Sequence, residues 1–228
     1  MLIVIEGIDG AGKGTQVGML QARLRARNKK VHAFSFPRYD VTRGGDAVGR
    51  YLNGKFGNPV AVHPQLASLL YAMDRFESRN DLRAQIAVQD VVVCDRYVPS
   101  NLAHQCAKLD DTEGEALCRW IEEIEYDLYE LPVPDLIIQL DLPTELAAKL
   151  IAKKAGRSYT DLKQDGHEAD LKYLTEVRKW YAKLEAESRT RCNRWVKIQV
   201  DNLRGDIRPV EHVATDIWDE VVTSCPDI

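Results

Sequence analysis

The stretch Gly7–Thr15, reading G-I-D-G-A-G-K-G-T, constrains this chain more than any other part of it. Gly7, four further residues, then Gly12 and Lys13 is the spacing of a phosphate-binding loop. Glycines there let backbone N–H groups crowd around phosphate oxygens with no side chain in the way. Lys13 brings a cation to the β- and γ-phosphates, and the helix that follows points its positive end at them. The flanks fit this mechanism. Leu2–Ile5 is an apolar run that reads as a buried parallel strand, and Val17, Leu20 and Leu24 recur at helical spacing after the loop.

Beyond the loop, short apolar runs alternate with longer helical ones. Strands are expected at 2–6, 31–36, 91–95, 135–141 and 195–200. Helices are expected near 13–27, 46–52, 63–88, 100–108, 112–129, 144–154, 168–187 and 209–222. The helix over 63–88 rests on the spacing of Leu66, Leu70, Met73, Phe76, Leu82 and Ile86, with room for a kink. Residues 155–166 are polar and turn-rich, the composition of a flap between two helices. Strands joined only through helices predict an α/β fold: a doubly wound, five-stranded parallel sheet with helices on both faces. Residues 1–228 read as one domain of this kind, with a small lid at about 153–168. Ligands in such sheets bind outside the carboxyl ends of the strands. Those ends bring Gly7–Thr15, Phe36-Pro37-Arg38, Asp95-Arg96-Tyr97 and Asp141 to one crevice.

Charge and cysteine usage narrow the partners. A net charge of −4 argues against a protein that lives on a nucleic-acid backbone, whereas small phosphates need only a local cluster of cations. No segment approaches 18 apolar residues, so no membrane span is expected, and the first apolar run is too short for a secretion signal. Five cysteines, an odd number with wide gaps and no C-x-x-C pair, suggest reduced thiols and a cytoplasmic setting.

Asp95-Arg96-Tyr97 follows the third strand, where a phosphate-loop protein often keeps a carboxylate that organises a metal. Asp95 is the candidate for Mg²⁺, through water, and Arg96 can clamp a phosphate in a bidentate way that a lysine cannot. Taken alone, the same tripeptide also reads as a strand-end surface pair of little energetic weight. A triphosphate donor carries about four negative charges and a monophosphate about two more, of which Mg²⁺ cancels two. Several cations must therefore converge. The candidates are Lys13, Arg38, Arg75, Arg96 and, at the flap, Lys153, Lys154 and Arg157.

The position after Lys13 is Gly14 rather than the common Ser or Thr, and the hydroxyl comes one residue later, at Thr15. This G-K-G-T spelling resembles nucleoside-monophosphate kinases. The segments I-E-G-I-D-G-A-G-K-G-T-Q (5–16), F-P-R-Y (36–39), D-R (74–75), D-R-Y-V-P-S-N (95–101) and D-G-H-E-A-D-L-K-Y-L (165–174) follow the order and spacing of thymidylate kinases. The resemblance implies a lidded five-stranded sheet, usually in a homodimer, that moves the γ-phosphate of ATP to thymidine monophosphate (dTMP) with Mg²⁺. It implies that Gly7, Gly10, Ala11, Gly12, Lys13, Gly14 and Thr15 hold the ATP phosphates. On the acceptor side it implies Asp9 at the sugar or a metal-bound water, Phe36, Pro37 and Tyr71 at the thymine, Arg75 at the base edge and Arg96 at the phosphate. Ser100, Asn101, His104 and Gln105 then line the nucleoside pocket. The catalytic set it implies is Asp9, Lys13, Arg38, Arg96 and Arg157.

The chain departs from that family in three places. Gly10 stands where some members carry an arginine directly after the loop aspartate, which leaves the auxiliary cation to the lid and to Arg157. His104 and His167 stand where aromatic residues are common. A histidine hydrogen-bonds and titrates near neutrality, so the preference for deoxyribose over ribose is expected to be weaker or pH-dependent. Other readings remain open at this point. One is a kinase for dUMP, dCMP or AMP. Another is a nucleotide-switched ATPase with no phosphotransfer, which would have little use for a basic flap and a second set of arginines.

Overall fold

A computed structural model describes residues 1–59, 61–153, 171–186, 190–202, 204–226 and 228. Five parallel strands form its centre: β1 (Leu2–Glu6), β2 (Val31–Ser35), β3 (Val91–Asp95), β4 (Leu136–Asp141) and β5 (Arg194–Gln199), in the order β2-β3-β1-β4-β5. Among the described residues, eight α-helices connect and follow them: α1 (Lys13–Ala26), α2 (Arg43–Leu52), α3 (Pro64–Val88), α4 (Val98–Cys106), α5 (Asp111–Glu122), α6 (Thr144–Lys153), α7 (Leu171–Ala186) and α8 (Val210–Ser224). The expected α/β class, strand count and parallel sense are all present.

Burial explains why these runs are strands. Every residue of β1 and β4 is buried, as a parallel strand covered on both faces requires, whereas the edge strands β2 and β5 are only partly so. β1 lies between β3 and β4, with Ile5 in register with Asp95 and with Ile138. The winding reverses around β1, so the loop after it opens into the crevice where such sheets hold ligands. Helices group as α1 with α8, and as α4 with α3, α5 and α7.

The structure differs from expectation in detail. α2 starts at Arg43, because the Thr42 side chain accepts from Gly45 N–H and caps it. α3 runs unbroken for 25 residues. The helix expected over 112–129 is α-helical to Glu122 and then π-helical over Glu123–Leu128. The periodic residues of α3 divide between two faces: Leu82 is buried, whereas Leu66, Met73 and Phe76 are exposed. Helical spacing records an apolar stripe without saying what covers it. The lid expected at 153–168 lies outside the described residues apart from Lys153 at the end of α6.

Candidate active site

The phosphate loop is built where β1 ends against its neighbours. Gly7, Gly10 and Gly12 all take positive φ (141°, 87° and 88°), and a Cβ on Gly10 would lie 2.8 Å from the Ala147 carbonyl oxygen. Lys13 folds back over the loop, its Nζ donating to the carbonyls of Gly7 and Ile8 at 3.0 Å each. Burial, with the Arg96 charge behind it, pushes the Lys13 ammonium down to about 8. The bound cation is thus held by groups a phosphate can replace.

Asp95, at the end of β3, faces the first turn of α1. One of its carboxylate oxygens would be 3.3 Å from a Cβ on Gly14. A side chain at position 14 would crowd that carboxylate, which accounts physically for glycine between Lys13 and Thr15. Among the described residues no three His, Cys, Asp or Glu side chains form a metal cluster. A single carboxylate beside a phosphate loop nonetheless fits Mg²⁺, which keeps several waters and takes its other ligands from phosphates. The nearby Glu6 is unsuited to this role. It is fully buried and accepts from Tyr97 N–H (2.8 Å), Ser100 N–H (3.2 Å), Ser100 Oγ (2.6 Å) and Tyr181 Oη (2.8 Å). Burial raises its carboxyl above the usual range, against those hydrogen bonds and the Arg96 charge.

Arg96 joins the loop to the rest of the site. Its backbone sits at φ 67°, a left-handed conformation that costs a non-glycine residue about 1–3 kcal/mol. Its Nη2 donates to Asp9 Oδ1 and its Nη1 to Ser100 Oγ at 3.0 Å. His104 completes the set. Tyr173 Oη donates to the His104 carbonyl at 2.9 Å, so the same oxygen accepts from His104 Nδ1–H at 3.1 Å. That tautomer leaves Nε2 to accept from Arg96 Nη1 at 3.3 Å, giving every N–H an acceptor.

A pocket opens beside this cluster. Asp9, Phe36, Pro37, Tyr71, Arg75, Arg96, Ser100, Asn101, His104 and Gln105 all line it, so every residue the sequence assigns to the acceptor side is brought to one place. Tyr39, Leu52 and Tyr173 line it too. Phe36 is buried, tilted against Tyr97 with ring centroids 6.0 Å apart, and the Phe36–Pro37 peptide is cis. Arg75 is buried and doubly bonded to Glu125 of the π-helical turn, through Nε to Oε2 and through Nη2 to Oε1 at 2.6 Å. Its burial costs far less with that partner than without.

One expected cation is placed differently. Arg38 turns its guanidinium toward α3, donating from Nη1 to Ser78 Oγ at 3.1 Å and Asp81 at 3.2 Å, and it is not among the pocket residues. Arg157, together with Lys154 and His167, lies outside the described residues, as does the Lys153 side chain. Sequence reasoning missed Glu6, Glu125 and Tyr181. A carboxylate closing an apolar strand was a usable signal for Glu6. Glu125 had none, because only the π-helical turn aims it inward.

A family model described as Thymidylate kinase matches residues 5–202. Thymidylate kinase of Mycobacterium tuberculosis is 32% identical over 203 residues, covering 88% of this chain and 92% of that protein. Thymidylate kinase of Thermomicrobium roseum is 31% identical over 221 residues, covering 95% and 91%. Thymidylate kinase of Schizosaccharomyces pombe is 28% identical over 186 residues, covering 76% and 82%.

Proposed function

This chain belongs to the thymidylate kinase family, and on that premise we propose how its residues carry the activity. The enzyme transfers the γ-phosphate of ATP to thymidine monophosphate, giving dTDP and ADP. The observation that carries the residue assignment is the Asp9–Arg96 pair: it spans the phosphate loop on one side and the acceptor pocket on the other.

Donor phosphates sit in Gly7–Thr15 and displace the Gly7 and Ile8 carbonyls from Lys13. Asp95 would hold Mg²⁺, which would supply neutralisation of the triphosphate charge. The acceptor base stacks by Phe36 and Tyr71, with Arg75, Asn101 and Gln105 at its edge, and its phosphate takes Arg96. Phosphoryl transfer asks mainly for positioning and charge neutralisation, and these residues supply both. Arg157 is proposed to supply the auxiliary cation for the transferred group. Arg38 acts by shaping the loop before α2, where its backbone N–H donates to the buried Asp74 at 2.9 Å.

We also propose that two copies pair through the exposed Leu66, Met73 and Phe76 of α3, a stripe of apolar surface with aromatic weight. Five cysteines present as thiols favour a reducing, cytoplasmic setting, and among the described residues no helix is long and apolar enough to cross a membrane. Thermal shift tests the two-site reading. dTMP alone at a hundredfold excess over its Kd should stabilise by about 2.7 kcal/mol. A response to ATP and ADP alone would favour a switch protein instead.

A further inference from the structure

The acceptor pocket contains two buried side-chain amides whose orientations can be read from their partners. Asn101 and Gln105 lie four residues apart on α4, each only 2% exposed. Asn101 Nδ2 donates to the Ser68 carbonyl at 3.0 Å and to Glu125 at 2.8 Å, so the other atom is Oδ1, and it has no partner. Gln105 is met by Lys108 Nζ at 2.8 Å. An ammonium only donates, so the atom facing it is Oε1 and the amide N–H₂ is turned away. Among the described residues nothing accepts from that Nε2.

Lys108 is itself held for this purpose by few groups. It is partly buried, no carboxylate among the described residues pairs with it, and burial lowers its ammonium to about 8. Its other partner is Tyr51, whose hydroxyl donates to the Pro59 carbonyl at 2.8 Å and so accepts from Nζ at 3.2 Å. Fixing a desolvated cation against a neutral amide is costly, and what it secures is the direction of that amide.

We propose that Lys108 is a positioning residue for base selection: by holding Gln105 Oε1 it turns the Gln105 N–H₂ into the pocket beside the bare Asn101 Oδ1. The pair then offers one donor and one acceptor, complementary to a pyrimidine with a ring N–H next to a carbonyl oxygen. A cytosine-type edge presents an amino group and an unprotonated nitrogen at those places and leaves both amides unsatisfied. Without Lys108, Gln105 can flip and accept from that amino group. This inference rests on the dTMP kinase reading and names how that pocket excludes an aminopyrimidine.

The test measures Kd by calorimetry and kcat/KM for dTMP and dCMP in the wild type, Lys108→Met, Lys108→Arg, Gln105→Leu and the double variant Lys108→Met/Gln105→Leu. Lys108→Met is expected to lower the dTMP-over-dCMP ratio at least tenfold, through KM more than kcat, and Lys108→Arg to restore it. In the Gln105→Leu background Lys108→Met should change the ratio no further. An unchanged ratio in Lys108→Met, or additive losses in the double variant, overturns the inference. Should Lys108→Met melt without cooperativity, Gln105→Leu decides alone: an unchanged ratio there overturns it equally. A wild type that turns over no dTMP overturns the underlying function reading, a result distinct from any of these.

Discussion

Lys13, Glu6 and His104 show how burial sets chemistry one residue at a time. Lys13 titrates near 8 in the free enzyme, so its cation is present below that pH and lost above it. kcat/KM for ATP, which reports free enzyme, is therefore expected to fall as pH rises through 8. kcat should stay level to higher pH, because bound phosphates restore the proton. A pH profile in which both parameters fall together contradicts this, and the residual activity of Lys13→Arg should lack the alkaline limb. Glu6→Gln places an amide N–H₂ where four donors converge. The unsatisfied bonds should cost about 1–3 kcal/mol, read as a thermal midpoint lower by roughly 2–4 °C per kcal/mol. His104 accepts from Arg96 only while its ring is neutral. Removing that acceptor in His104→Phe should therefore change the turnover ratio of dTMP to ribothymidine monophosphate, and an unchanged ratio would remove His104 from sugar selection.

Among the elements, glycine placement decides how closely helices approach. A Cβ on Gly44 of α2 would lie 2.6 Å from the Asp74 Cα on α3, so Gly44→Ala should destabilise by about 1–3 kcal/mol. Gly18, in the middle of α1, has nothing within 4 Å of such a Cβ. Gly18→Ala should instead stabilise, by up to about 1 kcal/mol, and a pair of melts that share one sign contradicts the packing. Element positions were legible in the sequence wherever a local pattern carries the information. The loop Gly7–Thr15 required a strand before it and a helix after it, and the mainly apolar β1, β3 and β4 read as strands. The π-helical turn at Glu123–Leu128 was not legible, because it extends a helical pattern and differs only in its hydrogen-bond step. The turn is what places Glu125 against Arg75. Nor did the spacing within α3 reveal that Leu66, Met73 and Phe76 face outward, since periodicity is blind to what packs on a stripe.

For the molecule as a whole, two predictions follow from the sheet order and the exposed face of α3. Sedimentation equilibrium should find a dimer at micromolar concentration, and Leu66→Asp with Met73→Asp should leave a folded monomer; a wild-type monomer contradicts the pairing. The acceptor site was read from segments far apart in the sequence because their family order was intact, and all ten residues assigned to it line one pocket. Arg38 was read as a convergent cation from its position after Phe36-Pro37, but Ser78 and Asp81 on α3 draw it aside, a long-range contact no local motif encodes. The central claim is that one crevice joins an ATP-phosphate loop to a pocket built for dTMP. Its most direct test is ADP formation from Mg-ATP with dTMP, dUMP, dCMP, AMP and ribothymidine monophosphate as acceptors. The highest kcat/KM is expected with dTMP, with dCMP strongly disfavoured. ATP binding without turnover of any monophosphate would contradict it.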